Sequence, residues 1–136
     1  MLSVHRIMYW TNYEGFIGQG SMNGSNKSLL VTGLYYPAGI VIDWSSRRLF
    51  WVEYKGDVVR SCDLNGGDIQ TVVELPSGSY PWGITIHEDR VYWGHYWAYS
   101  LHSSSKNGGA IETLYTGTHK IQHLTVATPS LQLNST

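Results

Sequence analysis

Six histidines and one cysteine are the residues of this chain that could bind a metal or act in nucleophilic catalysis. The histidines are His5, His87, His95, His102, His119 and His123. Only the last two lie four residues apart, and in an extended segment, at about 3.3 Å per residue, they would be roughly 13 Å from each other. That separation is too large for one zinc ion. We therefore expect no metal site and no cofactor.

The one cysteine, Cys62, has no partner for an internal disulfide, and no histidine lies at a zinc-ligand spacing from it. We expect a small buried strand residue, with a reactive thiol as the less favoured alternative. The sequence has no nucleophile elbow, no paired acids in one predicted loop and no glycine-rich phosphate loop. It therefore predicts a protein that is not an enzyme.

Composition and charge favour a globular chain without nucleic-acid or lipid partners. Of the 136 residues, 42% are hydrophobic and 14% charged, which is enough apolar material for one folded core. Nine basic and ten acidic residues give a net charge of −1, so no overall field attracts nucleic acid or anionic lipid. No stretch approaches the roughly 18 apolar residues of a membrane span or the pattern of a signal peptide. We expect no direct membrane insertion by this segment.

Three consecutive copies of one repeat of roughly 42 residues make up the chain. The first marker, an aromatic residue followed by tryptophan, occurs as Tyr9-Trp10, Phe50-Trp51 and Tyr92-Trp93. The second marker occurs as Asn23-Gly24, Asn65-Gly66 and Asn107-Gly108. A third marker occurs as Pro37-Ala38-Gly39-Ile40, then Pro81-Trp82-Gly83-Ile84, and lastly, without its Pro and Gly, as Ile121-Gln122-His123-Leu124. Independent markers with one common spacing indicate a repeat architecture.

Between the markers, apolar residues alternate with period two, as in Ile40, Ile42 and Trp44, which predicts short strands. Each repeat has room for four strands, and Asn-Gly between the last two predicts a type I′ turn, whose two central residues need positive φ. Four antiparallel strands in a repeat of this length are typical of a β-propeller blade. Three blades leave two apolar faces open to water, so we expect a fragment of a larger protein or an assembly.

The repeat also resembles a known family over nearly the whole chain. The segments that begin Ile7-Met8-Tyr9-Trp10, Arg48-Leu49-Phe50-Trp51 and Asp89-Arg90-Val91-Tyr92-Trp93 are similar to the strand that names the YWTD (class B) repeat of low-density-lipoprotein receptor relatives. The resemblance implies the last three blades of a six-bladed propeller, at about 1–35, 36–78 and 79–128, with an exit tail at 129–136. It also implies that the missing blades and a following EGF-like module belong to the parent protein.

The resemblance gives the aromatic-Trp residues a structural role and leaves one motif position in question. The fourth YWTD residue is an aspartate that ties strand and neighbouring blade together, and here it is Asn12, Glu53 and His95. Asn and Glu still accept hydrogen bonds, whereas Gly94-His95 replaces the whole Thr-Asp pair. We therefore expect a looser third blade with an altered hydrogen-bond network.

In this family, ligands dock on the loops that join one blade to the next and on the loop between the second and third strands. Tyrosine and tryptophan in such loops provide rigid contact area with a polar group, which suits protein recognition. The ligand-binding candidates are Tyr36, Tyr80, Trp82, Tyr54, Lys55, Tyr96 and Trp97. For Tyr36 and Tyr80 the alternative is packing between blades. Trp82 and Trp97 lie at variable loop positions, which favours the binding role.

The resemblance thus implies a non-catalytic extracellular module that binds a protein ligand, within a single-pass endocytic receptor or Wnt co-receptor. The alternative is a secreted matrix propeller of nidogen type with a laminin-like partner. Candidate glycan acceptors at Asn23, Asn26 and Asn134 are compatible with secretion. Acid-triggered ligand release would need His95 or His123, whose positions favour ordinary exposed or strand-end histidines.

Overall fold

The computed structural model describes residues 6–127, and this part of the chain contains strands and no helix. The strands are β1 Ile7–Asn12, β2 Phe16–Ser21, β3 Ser28–Val31, β4 Pro37–Asp43, β5 Arg48–Glu53, β6 Val58–Asp63, β7 Gln70–Glu74, β8 Pro81–His87, β9 Arg90–His95, β10 Ser100–Ser105 and β11 Glu112–Thr116. Residues 6–127 accordingly include no helix long and apolar enough to cross a membrane. The all-β class predicted from the sequence is confirmed.

The strands form three antiparallel sheets in which consecutive strands are neighbours. The first sheet is β1-β2-β3, the second β4-β5-β6-β7 and the third β8-β9-β10-β11. Each sheet is one blade of a partial β-propeller. Blade one has three strands within residues 6–127, and blades two and three have the four that the sequence predicts. In the other two blades an innermost strand precedes the motif strand, whereas the described residues begin at Arg6, directly before β1.

The Asn-Gly pairs connect the third and fourth strands, as predicted, but not through type I′ turns. Gly24, Gly66 and Gly108 have φ values of 89°, 85° and 93°, whereas the asparagines before them are not among the residues with positive φ. Six residues separate β6 from β7, so the connection is longer than a two-residue turn, and within it Gly66 and Asp68 have positive φ.

Side chains between adjacent blades make up the core. One cluster joins blades one and two through Ile17, Val31, Leu34, Leu49, Trp51 and Cys62. The other joins blades two and three through Phe50, Val52, Val59, Val72, Val73, Leu75, Ile84, Val91 and Trp93. β5 is buried along most of its length because its two faces contact different blades. The predicted burial of Cys62 is confirmed, whereas Trp44 lies beyond the end of β4 and is exposed.

The innermost strands of neighbouring blades approach each other closely at two glycines. A Cβ atom at Gly39 would lie 2.6 Å from the carbonyl oxygen of Trp82, and one at Gly83 would lie 2.5 Å from that of Gln122. A side chain does not fit at either position, which explains why the third sequence marker contains glycine. The segment 121–127, which belongs to no strand, therefore lies against β8 in the way that β8 lies against β4.

Candidate protein-binding surface

Two tyrosines turn the chain sharply at the entrance to blades two and three. Tyr36 and Tyr80 have φ values of 55° and 49°, a left-handed conformation that bulky side chains rarely adopt. Each is followed directly by the proline that begins the innermost strand, and Pro37 pairs with Glu53 at the end of the motif strand. Blade three repeats this pairing. Each tyrosine is thereby placed beside the loop that follows the motif strand.

Hydrogen bonds hold the two tyrosines in this conformation. The N–H of Tyr54 donates to the carbonyl of Tyr36 at 2.7 Å, and the N–H of Tyr96 donates to the carbonyl of Tyr80 at 2.9 Å. The carboxylate of Asp57, in the β5–β6 loop, accepts from two N–H groups of the next inter-blade segment, including that of Tyr80 at 3.0 Å. These bonds offset the cost of the unusual backbone conformation.

Seven aromatic side chains form one continuous cluster at this end of the blades, which we call the aromatic platform. Its members are Tyr13, Tyr36, Tyr54, Tyr80, Trp82, Tyr96 and Trp97. Tyr54 is central, with its ring centroid 5.0 Å from that of Tyr36 and 4.8 Å from that of Tyr80. Trp82 lies 5.5 Å from Tyr54 and 5.3 Å from Tyr96. The structure thus brings together every aromatic ligand-binding candidate predicted from the sequence.

Exposure differs between members of the platform. Trp97 lies in the β9–β10 loop and is 52% exposed, while its indole N–H donates to the Tyr54 hydroxyl at 2.6 Å. Trp82 lies in β8, so its predicted loop position is wrong, and it is half-buried among the tyrosines. Tyr36 and Tyr80 are half-buried as well. Packing therefore accounts for part of each ring, while Trp97 and Tyr13, which is 67% exposed, are the open edges of the platform.

Two lysines lie over the platform rings. The Nζ of Lys120 is 4.3 Å from the ring centroid of Trp97 and 4.8 Å from that of Tyr96, and the Nζ of Lys55 is 5.8 Å from that of Tyr36. These separations are within the range of cation–π contacts. Lys120 was not predicted, because it follows β11 in a stretch that carries no repeat marker. The lysines give the platform a positively charged edge.

A cleft of about 650 Å³ opens beside the platform, between the innermost strands. β4, β8 and the segment 121–125 line it, and Tyr13, Tyr36 and Trp82 belong both to its wall and to the platform. The volume is in the range of pockets that hold small ligands, about 300 to 1,000 Å³. The cleft therefore has room for a side chain inserted by a partner that covers the platform.

The motif tryptophans of blades two and three donate to the fourth motif residue. The indole N–H of Trp51 donates to Oε2 of Glu53 at 3.1 Å, and that of Trp93 donates to Nε2 of His95 at 3.0 Å. The bond to the fourth motif residue is thus kept in blade three in altered form, because a neutral imidazole nitrogen accepts in place of the carboxylate. A looser third blade stays a prediction.

Blade one uses its fourth motif residue differently. The Oδ1 of Asn12 accepts from the N–H of Glu14 at 2.8 Å, within the loop that follows β1. The indole of Trp10 covers Gly18, where a Cβ atom would lie 2.5 Å from the ring. Asn12 thus shapes the loop that begins at Tyr13 of the platform.

His95 and His102 are stacked inside blade three, with ring centroids 4.1 Å apart. Burial, and then the neighbouring His102, lowers the pKa of His95 to about 4, although Asp57 acts in the opposite direction. Burial also lowers the pKa of His102. His95 is therefore neutral near pH 7, which its role as acceptor from Trp93 requires. It is a buried structural residue rather than an exposed residue of the docking loops.

The remaining candidates have simple environments. Burial, and then the charge of Asp63, raises the pKa of the Cys62 thiol to about 11, so this residue is a poor nucleophile near pH 7. Asn23 and Asn26 are exposed in the connection between β2 and β3, and Asn134 lies outside the described residues. Residues 6–127 contain no group of three or more His, Cys, Asp or Glu side chains that could hold a metal.

Two curated relatives align with most of the chain. The chain is 29% identical over 132 residues to the vitellogenin receptor Yl of Drosophila melanogaster, covering 95% of this chain and 7% of the relative. It is 28% identical over 112 residues to the vitellogenin receptor of Solenopsis invicta, covering 80% of this chain and 6% of the relative. The chain thus spans less than a tenth of the length of these relatives. No family model matches it.

Solved structures resemble the chain in fold. A chain of the nidogen/laminin complex superposes with a TM-score of 0.75 and 22% identity, covering 87% of this chain and 47% of that one. The virginiamycin B lyase from Staphylococcus aureus superposes with a TM-score of 0.67 and 20% identity, covering 81% of this chain and 38% of that one. At these identities the likeness shows the fold alone.

Blade topology and structural neighbours together define the class, a partial β-propeller of antiparallel blades. The aromatic-Trp markers and the receptor relatives then define the type of blade. The blades are similar to low-density-lipoprotein receptor class B (YWTD) propeller repeats, as the sequence indicated.

Proposed function

We propose that this chain is a non-catalytic extracellular module that binds a protein ligand through the aromatic platform. The platform is the observation that carries the proposal. Tyrosine and tryptophan are enriched at the energetically dominant positions of protein interfaces, because they bury a large area and lose little conformational entropy. Here seven such rings are in mutual contact at one end of three blades, and Trp97 at their edge is more than half exposed.

The charges around the platform indicate what kind of ligand surface it suits. Lys120 and Lys55 lie over different rings, so an acidic side chain of the ligand at either place would meet an ammonium group next to apolar surface. The adjacent cleft offers room for one apolar side chain. A protein segment that combines an apolar anchor with carboxylates therefore fits this surface best.

The receptor relatives favour uptake as the role of the larger protein. Both are named vitellogenin receptors, and we propose an endocytic receptor of the lipoprotein-receptor type in preference to a Wnt co-receptor. The proposal includes the domain division at about 1–35, 36–78 and 79–128, further blades, an EGF-like module after the tail at 129–136, and attachment by one membrane span elsewhere. Glycans at Asn23 and Asn26 belong to the same proposal, because both side chains are exposed.

The platform is tested by removing one exposed tryptophan and comparing it with a matched control. Trp97→Ala removes the open edge of the platform and the contact with Lys120. Trp44→Ala removes a tryptophan that is 67% exposed but follows β4, outside the platform. Vitellogenin is passed over the immobilised chain and the dissociation constant is measured by surface plasmon resonance. We expect Trp97→Ala to weaken binding about tenfold or more, as for an interface hot spot, and Trp44→Ala to leave it unchanged.

Two results would contradict the proposal. Equal affinities of the two variants and the wild-type chain would place binding elsewhere on the blades. A parallel loss in both variants would indicate a general effect of removing surface tryptophan rather than a specific site. The far-ultraviolet circular dichroism of each variant, compared with the wild-type chain, checks that the strands are intact.

A matrix role is the second candidate, and the nidogen/laminin neighbour is the observation that favours it. In that case the platform would bind a laminin-like module and the parent protein would be secreted. The same immobilised chain, exposed to a laminin fragment, separates the candidates. Binding of laminin that depends on Trp97, together with no binding of vitellogenin, would favour the matrix role.

The lyase neighbour makes a catalytic test necessary, because an enzyme can share this fold. Quinupristin, the compound bound to an inactive variant of that lyase, is a direct probe. We expect no turnover of quinupristin by this chain, measured by mass spectrometry. His95 of blade three is buried and accepts a hydrogen bond from the motif tryptophan, which supports a structural role for it.

A further inference from the structure

The three Asn-Gly pairs share one backbone arrangement at the same place in their blades. In each pair the N–H of the glycine donates to the carbonyl of the residue that begins the turn. These bonds are Gly24 to Ser21 at 2.9 Å, Gly66 to Asp63 at 3.0 Å and Gly108 to Ser105 at 2.9 Å. The three glycines also have similar φ values, and the three asparagines are exposed. Any difference in chemistry between the pairs must therefore come from the groups around the asparagine side chain.

Asn23 differs from the other two asparagines in the donors that surround its side-chain carbonyl. Its Oδ1 accepts from the N–H of Ser25 at 3.0 Å and from the Ser25 hydroxyl at 2.7 Å. The equivalents of Ser25 in the other blades are Gly67 and Gly109, which have no hydroxyl. The N–H of Gly67 donates instead to the carboxylate of Asp63 at 2.9 Å. Asn23 thus has a hydroxyl donor at Oδ1 that the equivalent residues of the other blades do not provide.

An asparagine followed by glycine loses its side-chain amide when the glycine nitrogen attacks it. Hydroxide removes the proton of the Gly24 N–H, and the nitrogen then forms a bond to Cγ of Asn23. The side-chain nitrogen takes a proton from water and leaves as ammonia, so that a cyclic succinimide remains. Water opens this ring to give aspartate or isoaspartate. Glycine favours the attack because no Cβ atom lies beside its nitrogen.

The donors of Ser25 lie where negative charge develops in this reaction. The attack on Cγ turns Oδ1 of Asn23 into an oxyanion, and a hydrogen-bond donor already aimed at such an oxygen lowers the barrier. Both Ser25 donors contact Oδ1 in the folded chain. The attack must break the bond from Gly24 to Ser21, but the same bond must break in the other two pairs. The Ser25 donors therefore favour the reaction at Asn23 over the other two asparagines.

We propose that Asn23 is a site of spontaneous modification, at which the amide is converted to aspartate and isoaspartate faster than at Asn65 or Asn107. Either product has a carboxylate in place of the neutral amide, and isoaspartate also adds the Cβ atom to the main chain. Both products lack the amide to which a glycan is attached, so a glycan at Asn23 and this conversion exclude each other. Neither the aromatic platform nor its ligand takes part in the reaction.

A further blade packed against blade one would leave Asn23 accessible to hydroxide and water. Asn65 is exposed although Gly66, beside it, contacts the preceding blade. A Cβ atom at Gly66 would lie 2.7 Å from the carbonyl oxygen of Leu30 in blade one. The same packing at Gly24 would cover the glycine and leave the asparagine side chain open, as it does in blade two. The proposed site is therefore compatible with the further blades of the parent protein.

Mass spectrometry of the chain made in bacteria, where no glycan is attached, measures the conversion. The folded chain is incubated at mildly alkaline pH, and trypsin then separates the three Asn-Gly pairs into the peptides 7–27, 61–90 and 107–120. We expect Asn23 to convert fastest. Ser25→Ala removes the hydroxyl donor and should slow the conversion about two- to tenfold, the effect of one ordinary hydrogen bond. Ser25→Thr keeps the hydroxyl and should convert at the wild-type rate.

The same incubation in urea separates the effect of the fold from that of the local sequence. In the unfolded chain the Ser25 donors are no longer held at Oδ1, so Ser25→Ala should convert at the wild-type rate there. An equal slowing of Ser25→Ala in urea and in native buffer would overturn the proposal, because the fold would then contribute nothing. Equal rates at the three asparagines of the folded chain would also overturn it, as would a folded Ser25→Ala variant with the wild-type rate at Asn23.

Discussion

The fourth position of the aromatic-Trp motif shows how two residue types meet one physical requirement. A buried indole N–H must have an acceptor, because an unsatisfied donor costs about 1 to 3 kcal/mol. Glu53 provides a carboxylate oxygen and His95 provides an unprotonated ring nitrogen, while Asn12 is used within its own loop. The hydrogen bond from Trp93 to His95 depends on pH, because protonation of the imidazole turns its acceptor nitrogen into a donor that faces the indole N–H.

Acidification should therefore destabilise the chain through His95. Its pKa is lowered from 6.5 to about 4 in the folded state, so the unfolded chain binds more protons between these values. Stability is then highest above pH 6.5 and falls as the pH drops towards 4, by about 3 kcal/mol for this shift. We expect His95→Gln, whose amide oxygen can accept from Trp93, to lose most of this dependence in urea unfolding between pH 4 and 7.

The control for that experiment is His119→Gln, which changes an exposed histidine outside the stacked pair. Its unfolding curve should keep the wild-type pH dependence. If His95→Gln has the same pH dependence as the wild-type chain, the acid sensitivity comes from other groups, among which the half-buried His102, whose pKa burial lowers, is the first to examine.

Among the elements, the segments between blades determine where the aromatic rings lie. Each crosses from the outer strand of one blade to the innermost strand of the next and ends in a tyrosine with positive φ. The second segment is held by Asp57, whose carboxylate accepts from the N–H groups of Gly78 and Tyr80. The contact between Asp57 and the inter-blade segment fixes the orientation of Tyr80, although Asp57 itself is not part of the platform.

Removal of the Asp57 carboxylate should loosen this segment and the platform with it. Asp57→Ala leaves two N–H groups without their acceptor, and we expect a loss of about 1 to 3 kcal/mol in the free energy of unfolding. Asp57→Asn keeps one acceptor oxygen and tolerates the φ of 51° at this position, so it should lose less. Amide hydrogen exchange at Gly78 and Tyr80 measures the local effect, and equal protection in Asp57→Ala and the wild-type chain would contradict this role.

The sequence predicted the strands and blades of this fold better than it predicted the positions and contacts of individual side chains. Repeat markers and period-two alternation are local signals, so they predicted the strands, the order of the blades and the rings that meet in the platform. Lys120 was missed because its contact with Trp97 joins two loops without any periodic signal. Trp82 lies in a strand, and His95 accepts a hydrogen bond from the motif tryptophan. Both features depend on packing between blades, which the sequence of a single repeat does not encode.

In the molecule as a whole, the blades lie in a row, and the side chains that stabilise it are buried at the interfaces between consecutive blades. Trp51 and Trp93 are fully buried because a neighbouring blade covers each of them, whereas Trp10 is half-buried at the end of the row. The three tryptophans have the same place in their repeats, so the difference in burial comes only from the neighbours. The contribution of each motif tryptophan to stability should therefore increase with the area that neighbouring blades cover.

Substitution of these tryptophans should therefore destabilise the chain by different amounts. Trp51→Ala should lower the free energy of unfolding by about 3 to 5 kcal/mol, because its side chain is fully buried between two blades. Trp10→Ala should lower it less, because Trp10 is only half-buried in the described structure. Urea unfolding of the two variants and the wild-type chain measures both losses, and an equal loss in Trp10→Ala and Trp51→Ala would contradict the dependence on neighbouring blades.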